Sequence, residues 1–190
     1  MKVEELLARY EAGERAFSRA DLSGLDLAGA VIPQADLTSA DLSGAVLAGA
    51  DLSGADLRWA NLQKADLSRT TLTRAMLGGA NLRQADLART NLDDANLEGA
   101  NLEGTDLSDA SLERASLWGA NLEEAKLCRA NLVEANLKHA ALWDADLTGA
   151  DVTRANLQGA YLEGAVVTED QLSRAATLQD VTMIDGSKNK

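Results

Sequence analysis

The sequence predicts an all-β solenoid, and three observations lead to this fold class. A five-residue pattern, A-(D/N)-L-x-x, repeats without an insertion from Phe17 to Val167. An aliphatic residue, nearly always leucine, occupies every fifth position from 22 to 167, and alanine usually lies two residues before it. Trp, Tyr and Phe together account for only 3% of the residues, which excludes a core built around large rings.

A period of five residues does not suit an α-helix or one straight strand. In a helix the leucines would advance by about 140° each time and spiral around the axis. In a strand an odd period would send successive leucines to opposite faces. A coil of short extended segments remains, in which each alanine and leucine point inward and the next two residues turn the chain.

The residues between repeats have the composition of turns. In the Leu-x-x-Ala segments the third place is often glycine, as at Gly24 and Gly99, and a type II turn requires positive φ there. The one proline, Pro33, is in the second place, where its fixed φ is favourable. Other residues in the third place, such as Arg69 and Glu124, predict a different turn. We therefore expect two kinds of corner.

The A-(D/N)-L-x-x repeats resemble those of the pentapeptide-repeat protein family over about residues 15–168. This resemblance implies a right-handed quadrilateral β-helix, with about eight coils of four pentapeptides each. The period by itself leaves three and four sides open. With coils about 4.8 Å apart, the rod would be about 37 Å long.

Both ends of the solenoid are predicted to carry caps, because an open edge invites fibre growth. Residues 1–14 are predicted to form an amphipathic capping helix. Thr168 has the capping-box spacing that opens a helix in the C-terminal cap, residues 169–186, and residues 187–190 are expected to be loose. An N-terminal helix paired with a terminal Met-x-Asp-Gly-Ser stretch resembles the cyanobacterial type of this family. The residues expected to cover the last coil are Leu178, Val181, Met183 and Ile184.

Composition limits the function. A net charge of −12 is the reverse of the basic footprint that nucleic-acid binding needs. This negative charge fits a protein that binds a basic partner or mimics a polyanion. It fits equally well a protein whose surface charge prevents self-association. Cys128 and His139 are the only residues of their types, so we expect no disulfide, metal site, cofactor or catalytic pair. Without a membrane-length apolar run or a secretory signal, we expect a cytoplasmic protein that does not bind membranes.

The acidic and basic side chains have structural interpretations. The Asp or Asn before each leucine has the spacing of a carboxylate ladder, but its recurrence in nearly every repeat favours hydrogen bonds to nearby backbone. Three cations are expected to pair with three nearby glutamates rather than to form an anion site: Lys126, Arg129 and Lys138 with Glu123, Glu124 and Glu134.

On a four-sided coil the outward residues sort into columns. The side from Leu22 to Leu162 is acidic in its C-terminal half, and the side from Leu37 to Leu157 is nearly neutral and rich in glycine. Exposed tryptophans beside small residues are where binding energy concentrates, although solitary surface aromatics and cross-coil stacking require no partner. The candidate protein-contact residues are Trp59, Trp118 and His139 on the neutral side and Trp143 and Tyr161 on the acidic side.

Two functions follow. The first is a rigid, non-enzymatic rod that binds an unknown protein, as a monomer or an end-to-end dimer. The second comes from the resemblance, because some family members mimic duplex DNA and act on DNA gyrase. Those members favour phenylalanine at central positions, carry loops and dimerise through an apolar C-terminal segment. This chain has only Phe17 and no loop, so the interaction rod is preferred.

Overall fold

The computed structural model describes residues 1–189 and confirms the predicted solenoid. Isolated parallel β-bridges join each repeat to the next coil, from Ala16–Asp36 to Asp146–Val166, and the paired residues are 20 positions apart. One coil therefore takes four pentapeptides. Each bridge is a single residue pair, and the only helices in residues 1–189 are α1 (Val3–Glu11) and α2 (Glu169–Ser173). The right-handed sense of the coil stays a prediction.

The coil has four sides, which we number by the central residue of their pentapeptides. Side 1 runs through Leu22, Leu42 and onward to Leu162, and side 2 through Leu27 to Leu147. Side 3 runs from Ile32 to Val152 and side 4 from Leu37 to Leu157. These central residues and the alanines two positions before them are buried in one continuous core, as the period predicts.

Three threonines replace core alanines and keep their hydroxyls satisfied. Thr70 and Thr90 are buried, and each Oγ1 donates to a leucine carbonyl oxygen of the preceding coil at 2.8 Å. Thr105 Oγ1 donates to the carbonyl oxygen of Leu102 at 2.7 Å within its own turn. Each threonine therefore enters the apolar interior without leaving a buried donor unpaired.

The Asp or Asn before each central residue binds its own backbone. Asp66 Oδ1 accepts the N–H of Ser68 at 3.0 Å, and Asn131 Oδ1 accepts that of Val133 at 3.0 Å. An amide serves as well as a carboxylate because only the oxygen is used. Within residues 1–189 no group of His, Cys, Asp and Glu side chains is arranged to hold a metal ion.

The corners share one backbone conformation, so the expectation of two kinds of corner is wrong. The third place has positive φ at glycine and non-glycine residues alike, with 58° at Arg69, 57° at Glu124 and 64° at Gly54. The cause is the ladder between coils: the third-place N–H donates to the next coil, from Arg69 to Ala88 O at 3.0 Å and from Gly54 to Thr73 O at 2.9 Å. The ladder imposes this conformation despite the steric cost for residues with a Cβ.

Helix α1 caps the N-terminal end. Leu6 is fully buried in the solenoid core, and Leu7 packs against it partly buried. The Tyr10 hydroxyl donates to the Pro33 carbonyl oxygen at 2.7 Å. The Arg15 guanidinium lies 3.7 Å from the centre of the Tyr10 ring, a cation–π contact that holds the ring against the rod.

Helix α2 caps side 3 at the C-terminal end. Thr168 and Gln171 form the predicted capping box, and Leu172 is buried. The Gln171 side-chain amide also donates to Leu147 O at 2.8 Å and to Ala150 O at 2.9 Å. In the preceding coil the equivalent carbonyl, Ala130 O, accepts a backbone N–H. Gln171 thus replaces a ladder bond where the solenoid stops.

Two short segments after α2 complete the last coil. Thr177 bridges to Asn156 and Thr182 bridges to Tyr161, in each case 21 positions apart. The helix therefore adds one residue to this coil and shifts the phase of the repeat. Among the residues expected to cover the coil, Val181 is buried and Leu178 and Met183 are partly buried, whereas Ile184 is exposed.

Residues 187–189 contact the last coil, and the looseness expected of residues 187–190 stays a prediction. Lys188 forms an antiparallel bridge with Thr182, and the Asn189 N–H donates to Val181 O at 2.9 Å. The reversal at Gly186, with φ of 76°, brings this stretch back onto the last coil. Lys190, also part of the expected tail, lies outside the described residues.

Candidate functional site

Trp59 lies on side 4, apart from the other aromatic residues of that side, and its ring rests on Gly79 of the next coil. Its side chain is 68% exposed. A Cβ built on Gly79 would lie 2.2 Å from Trp59 Cζ3, so only glycine leaves room for the ring there. Toward the C terminus the same column continues with Gly99 and Gly119, where an added Cβ would meet nothing within 4 Å. At about 4.8 Å per coil, Trp59 is about 14 Å from the coil of Trp118.

Trp118 and His139 form the second aromatic group of side 4. Their ring centres are 6.4 Å apart with the planes at 82°, an edge-to-face contact between consecutive coils. The His139 ring lies over Gly159, where a Cβ would be 2.4 Å from Nδ1. Trp118 remains 48% exposed. The structure thus brings Trp118 to His139 and leaves Trp59 apart.

Trp143 and Tyr161 stack across consecutive coils of side 1, as their spacing predicts. Their ring centres are 5.1 Å apart, with the planes tilted by 36°. Trp143 is half-buried and Tyr161 is 40% exposed. Ala141, the residue below Tyr161 in its column, bridges to it and is small enough to leave room for the pair.

The two aromatic groups are neighbours, because side 4 leads directly into side 1. His139 is the last corner residue of side 4, and Ala140, which follows it, accepts the Tyr161 N–H at 3.0 Å. We call Trp118, His139, Trp143 and Tyr161 the aromatic patch. The sequence columns place these residues on two separate sides. The signal that would connect them is the two-residue separation of His139 and Ala141 across a corner.

Four carboxylates surround the Trp143 end of the aromatic patch. Glu123 and Glu163 occupy the same column as Trp143, one coil before and one coil after it. Glu124 and Asp144 occupy the adjoining corner column, and the Asp144 carboxylate lies over Gly164. Within residues 1–189 none of these four carboxylates has a basic nitrogen within 4.0 Å.

Comparison with known proteins identifies the repeat. The sequence model described as pentapeptide repeats (8 copies) matches four segments, residues 17–54, 50–89, 90–127 and 130–168. This chain belongs to the pentapeptide-repeat family. No curated protein matches it.

Several solved structures are similar to this chain. HetL, from the cyanobacterium Nostoc sp. strain PCC 7120 and involved in heterocyst differentiation regulation, is 34% identical over 100% of both chains, with a TM-score of 0.49. Rfr23, from the cyanobacterium Cyanothece 51142, is 28% identical over 87% of this chain and 99% of its own, with a TM-score of 0.44. QnrB1, a plasmid-mediated fluoroquinolone resistance protein, is 17% identical over 90% of each chain, with a TM-score of 0.43.

In this pentapeptide-repeat protein the three cations do not form the ion pairs expected from the sequence. Arg129 forms a bidentate pair with Asp109, at 2.7 and 2.6 Å. Glu134 accepts from Arg154 at 3.2 Å. No carboxylate of residues 1–189 lies within 4.0 Å of the ammonium groups of Lys126 and Lys138. The expected pairing with neighbouring glutamates is therefore wrong, because arginines reach along a corner column to the adjacent coil.

The surroundings of Cys128 favour the protonated thiol, because they raise its pKa. The half-buried thiol donates to Asp146 Oδ2 at 3.2 Å. Burial raises the pKa of Cys128, and the hydrogen bond and charge of Asp146 raise this pKa further. Since the thiolate is the nucleophile, this environment disfavours thiol chemistry. No helix in the described part of the chain is long and apolar enough to cross a membrane.

Proposed function

We propose that this pentapeptide-repeat protein is a non-enzymatic interaction rod that binds a protein partner through the aromatic patch. One observation carries the proposal: three of the large aromatic residues of the chain and its one histidine lie on one corner and the adjoining side. Large aromatic side chains carry much of the energy of protein interfaces when they lie together.

The aromatic patch is preorganised. Gly159 seats the His139 ring, His139 and Trp118 make an edge-to-face contact, and Tyr161 stacks on Trp143. Rings that are already ordered lose less conformational freedom when a partner covers them. The backbone beneath them is a ladder of hydrogen bonds between coils, so the spacing of the rings is fixed before binding.

The test is recovery of a partner from cell extract with matched variants. Trp118→Ala combined with Tyr161→Ala removes one ring from each half of the aromatic patch. Trp59→Ala removes an exposed ring of the same kind about three coils away and serves as the control. We expect a specific protein to be retained by the wild type and the control and to be lost by the double variant. Equal recovery by all three proteins would contradict the proposal.

Other properties of the rod stay predictions. They are the absence of direct nucleic-acid and membrane binding, a cytoplasmic location, and a monomeric or end-to-end dimeric state. The polyanion-mimic hypothesis predicts an effect on DNA gyrase supercoiling that weakens with salt. An unchanged supercoiling reaction at low salt would remove that hypothesis.

A further inference from the structure

We propose that the segment bound at the aromatic patch is basic, with a lysine or arginine side chain lying against the Trp143–Tyr161 pair and between the surrounding carboxylates. This inference rests on the proposed function and names the chemistry of the partner. Its observations are the stacked rings of side 1 and the four carboxylates that have no ion-pair partner within residues 1–189.

The geometry places rings and charges in adjoining columns. Trp143 lies between Glu123 and Glu163 along the axis, so a carboxylate lies one coil to either side of the indole. Glu124 and Asp144 line the next corner, and the Glu124 N–H donates to Trp143 O at 2.9 Å. The coils are only about 4.8 Å apart. One extended basic side chain, together with the residues next to it in the bound segment, can therefore reach all four carboxylates.

The charge on this part of side 1 is not used within the rod. On the corners of sides 2 and 3, carboxylates are neutralised between coils, as in Arg129 with Asp109 and Arg114 with Asp94. Earlier on side 1, Glu103 is paired with Arg83 at 2.7 Å. On side 1 this arginine pairing stops before the coil of Trp143, so the stacked rings and the four unpaired carboxylates of side 1 occur in the same place.

Together these groups select a cation. The face of an aromatic ring is electron-rich and attracts an ammonium or guanidinium group. An apolar partner would instead bury several carboxylates without compensation, and an acidic partner would be repelled. Lys138 follows Trp118 in its column, and its positive charge disfavours a bound cation at that end. We therefore assign the cation to the Trp143–Tyr161 end of the aromatic patch.

The experiment measures binding of a short labelled arginine–serine peptide to the full-length protein by fluorescence anisotropy. A glutamine–serine peptide of equal length is the uncharged comparison. The side 1 variant combines Glu123→Gln, Glu124→Gln, Asp144→Asn and Glu163→Gln. Trp143→Leu keeps an apolar side chain but removes the ring, and so tests the cation–π contact.

The control removes the same charge elsewhere without disturbing the fold. On side 2 the aspartates before four central leucines each accept a backbone N–H through Oδ1: Asp26, Asp66, Asp86 and Asp106. Asparagine makes this same bond elsewhere in the rod, as Asn131 does. Replacing these four aspartates with asparagine therefore changes the net charge equally while keeping the backbone contacts.

We expect the arginine–serine peptide to bind and the glutamine–serine peptide not to bind. At about 0.15 M ionic strength, where charges more than about 8 Å apart are screened, the side 1 variant should bind at least about tenfold more weakly, and the side 2 control less than about threefold. Trp143→Leu should weaken binding roughly two- to five-fold.

Equal losses in the side 1 variant and the side 2 control would show only general attraction to an acidic rod and would overturn the inference. Binding of both peptides alike, or of neither, would also overturn it. If the partner from extract is still lost by Trp118→Ala with Tyr161→Ala, the proposed function survives and the partner is not basic. Equal recovery from extract would overturn the proposed function itself.

Discussion

The seat of Trp59 on Gly79 can be tested with a matched pair of glycine substitutions. Gly79→Ala and Gly99→Ala change the same column of corners, where φ is 66° and 62°. Both alanines incur the left-handed backbone cost of about 1–2 kcal/mol. Only at Gly79 does the added Cβ collide with a ring, since the corresponding position at Gly99 has nothing within 4 Å.

The additional cost follows from the surface that Trp59 covers. The residue is 68% exposed, so about one third of its surface is covered. For a tryptophan of about 150–250 Å², that is roughly 50–80 Å², or about 1–2 kcal/mol at about 25 cal/mol per Å². Gly79→Ala should therefore lower the free energy of unfolding by about 1–2 kcal/mol more than Gly99→Ala does.

Urea unfolding of both variants measures this difference. Trp118→Phe and Trp143→Phe in the background leave Trp59 as the only tryptophan, so its emission reports the ring directly. We expect a red shift of Trp59 emission in Gly79→Ala and none in Gly99→Ala. Equal stability losses together with unchanged emission in both variants would refute the argument that Gly79 seats the ring.

Three further predictions concern the core, the cap and the thiol. Leu102→Ala, at a fully buried central position, should cost about 2–5 kcal/mol in denaturant unfolding; a loss below about 1 kcal/mol would contradict tight inward packing. Gln171→Ala should cost about 1–3 kcal/mol because Ala150 O loses its side-chain donor, and thermal unfolding compared with the wild type measures this loss. Cys128 should react more slowly with iodoacetamide than free cysteine does at pH 8. Asp146→Asn should speed the reaction, because it removes the carboxylate that raises the pKa of the thiol. An unchanged rate would argue against the Asp146 contact.

Part of the candidate site followed from sequence alone. The 20-residue coil implied by the family resemblance puts Trp143 one coil before Tyr161, and their rings do stack. The same spacing did not show that the corner of His139 on side 4 lies next to Tyr161 of side 1, because a column contains residues of one side only. It also put Trp59 and Trp118 on one side, about three coils apart.

The ion pairs were less predictable. Arg129 has acidic residues near it in sequence, yet its guanidinium reaches Asp109 in the preceding coil. Such choices depend on which rotamer lets two long side chains meet across stacked coils. The pattern of five residues contains no information on that point.

The repeat by itself determined the inside of this protein. Leucine at every fifth position, with alanine two residues before it, can share one dry interior only if the chain coils, and the leucines from Leu22 to Leu162 are buried. Tertiary structure decided the corners and the surface. Arg69 takes the backbone conformation of a glycine because its N–H is bound by a carbonyl 19 residues later. Such contacts between coils also join the aromatic patch, and neither propensity nor spacing within one repeat specifies them.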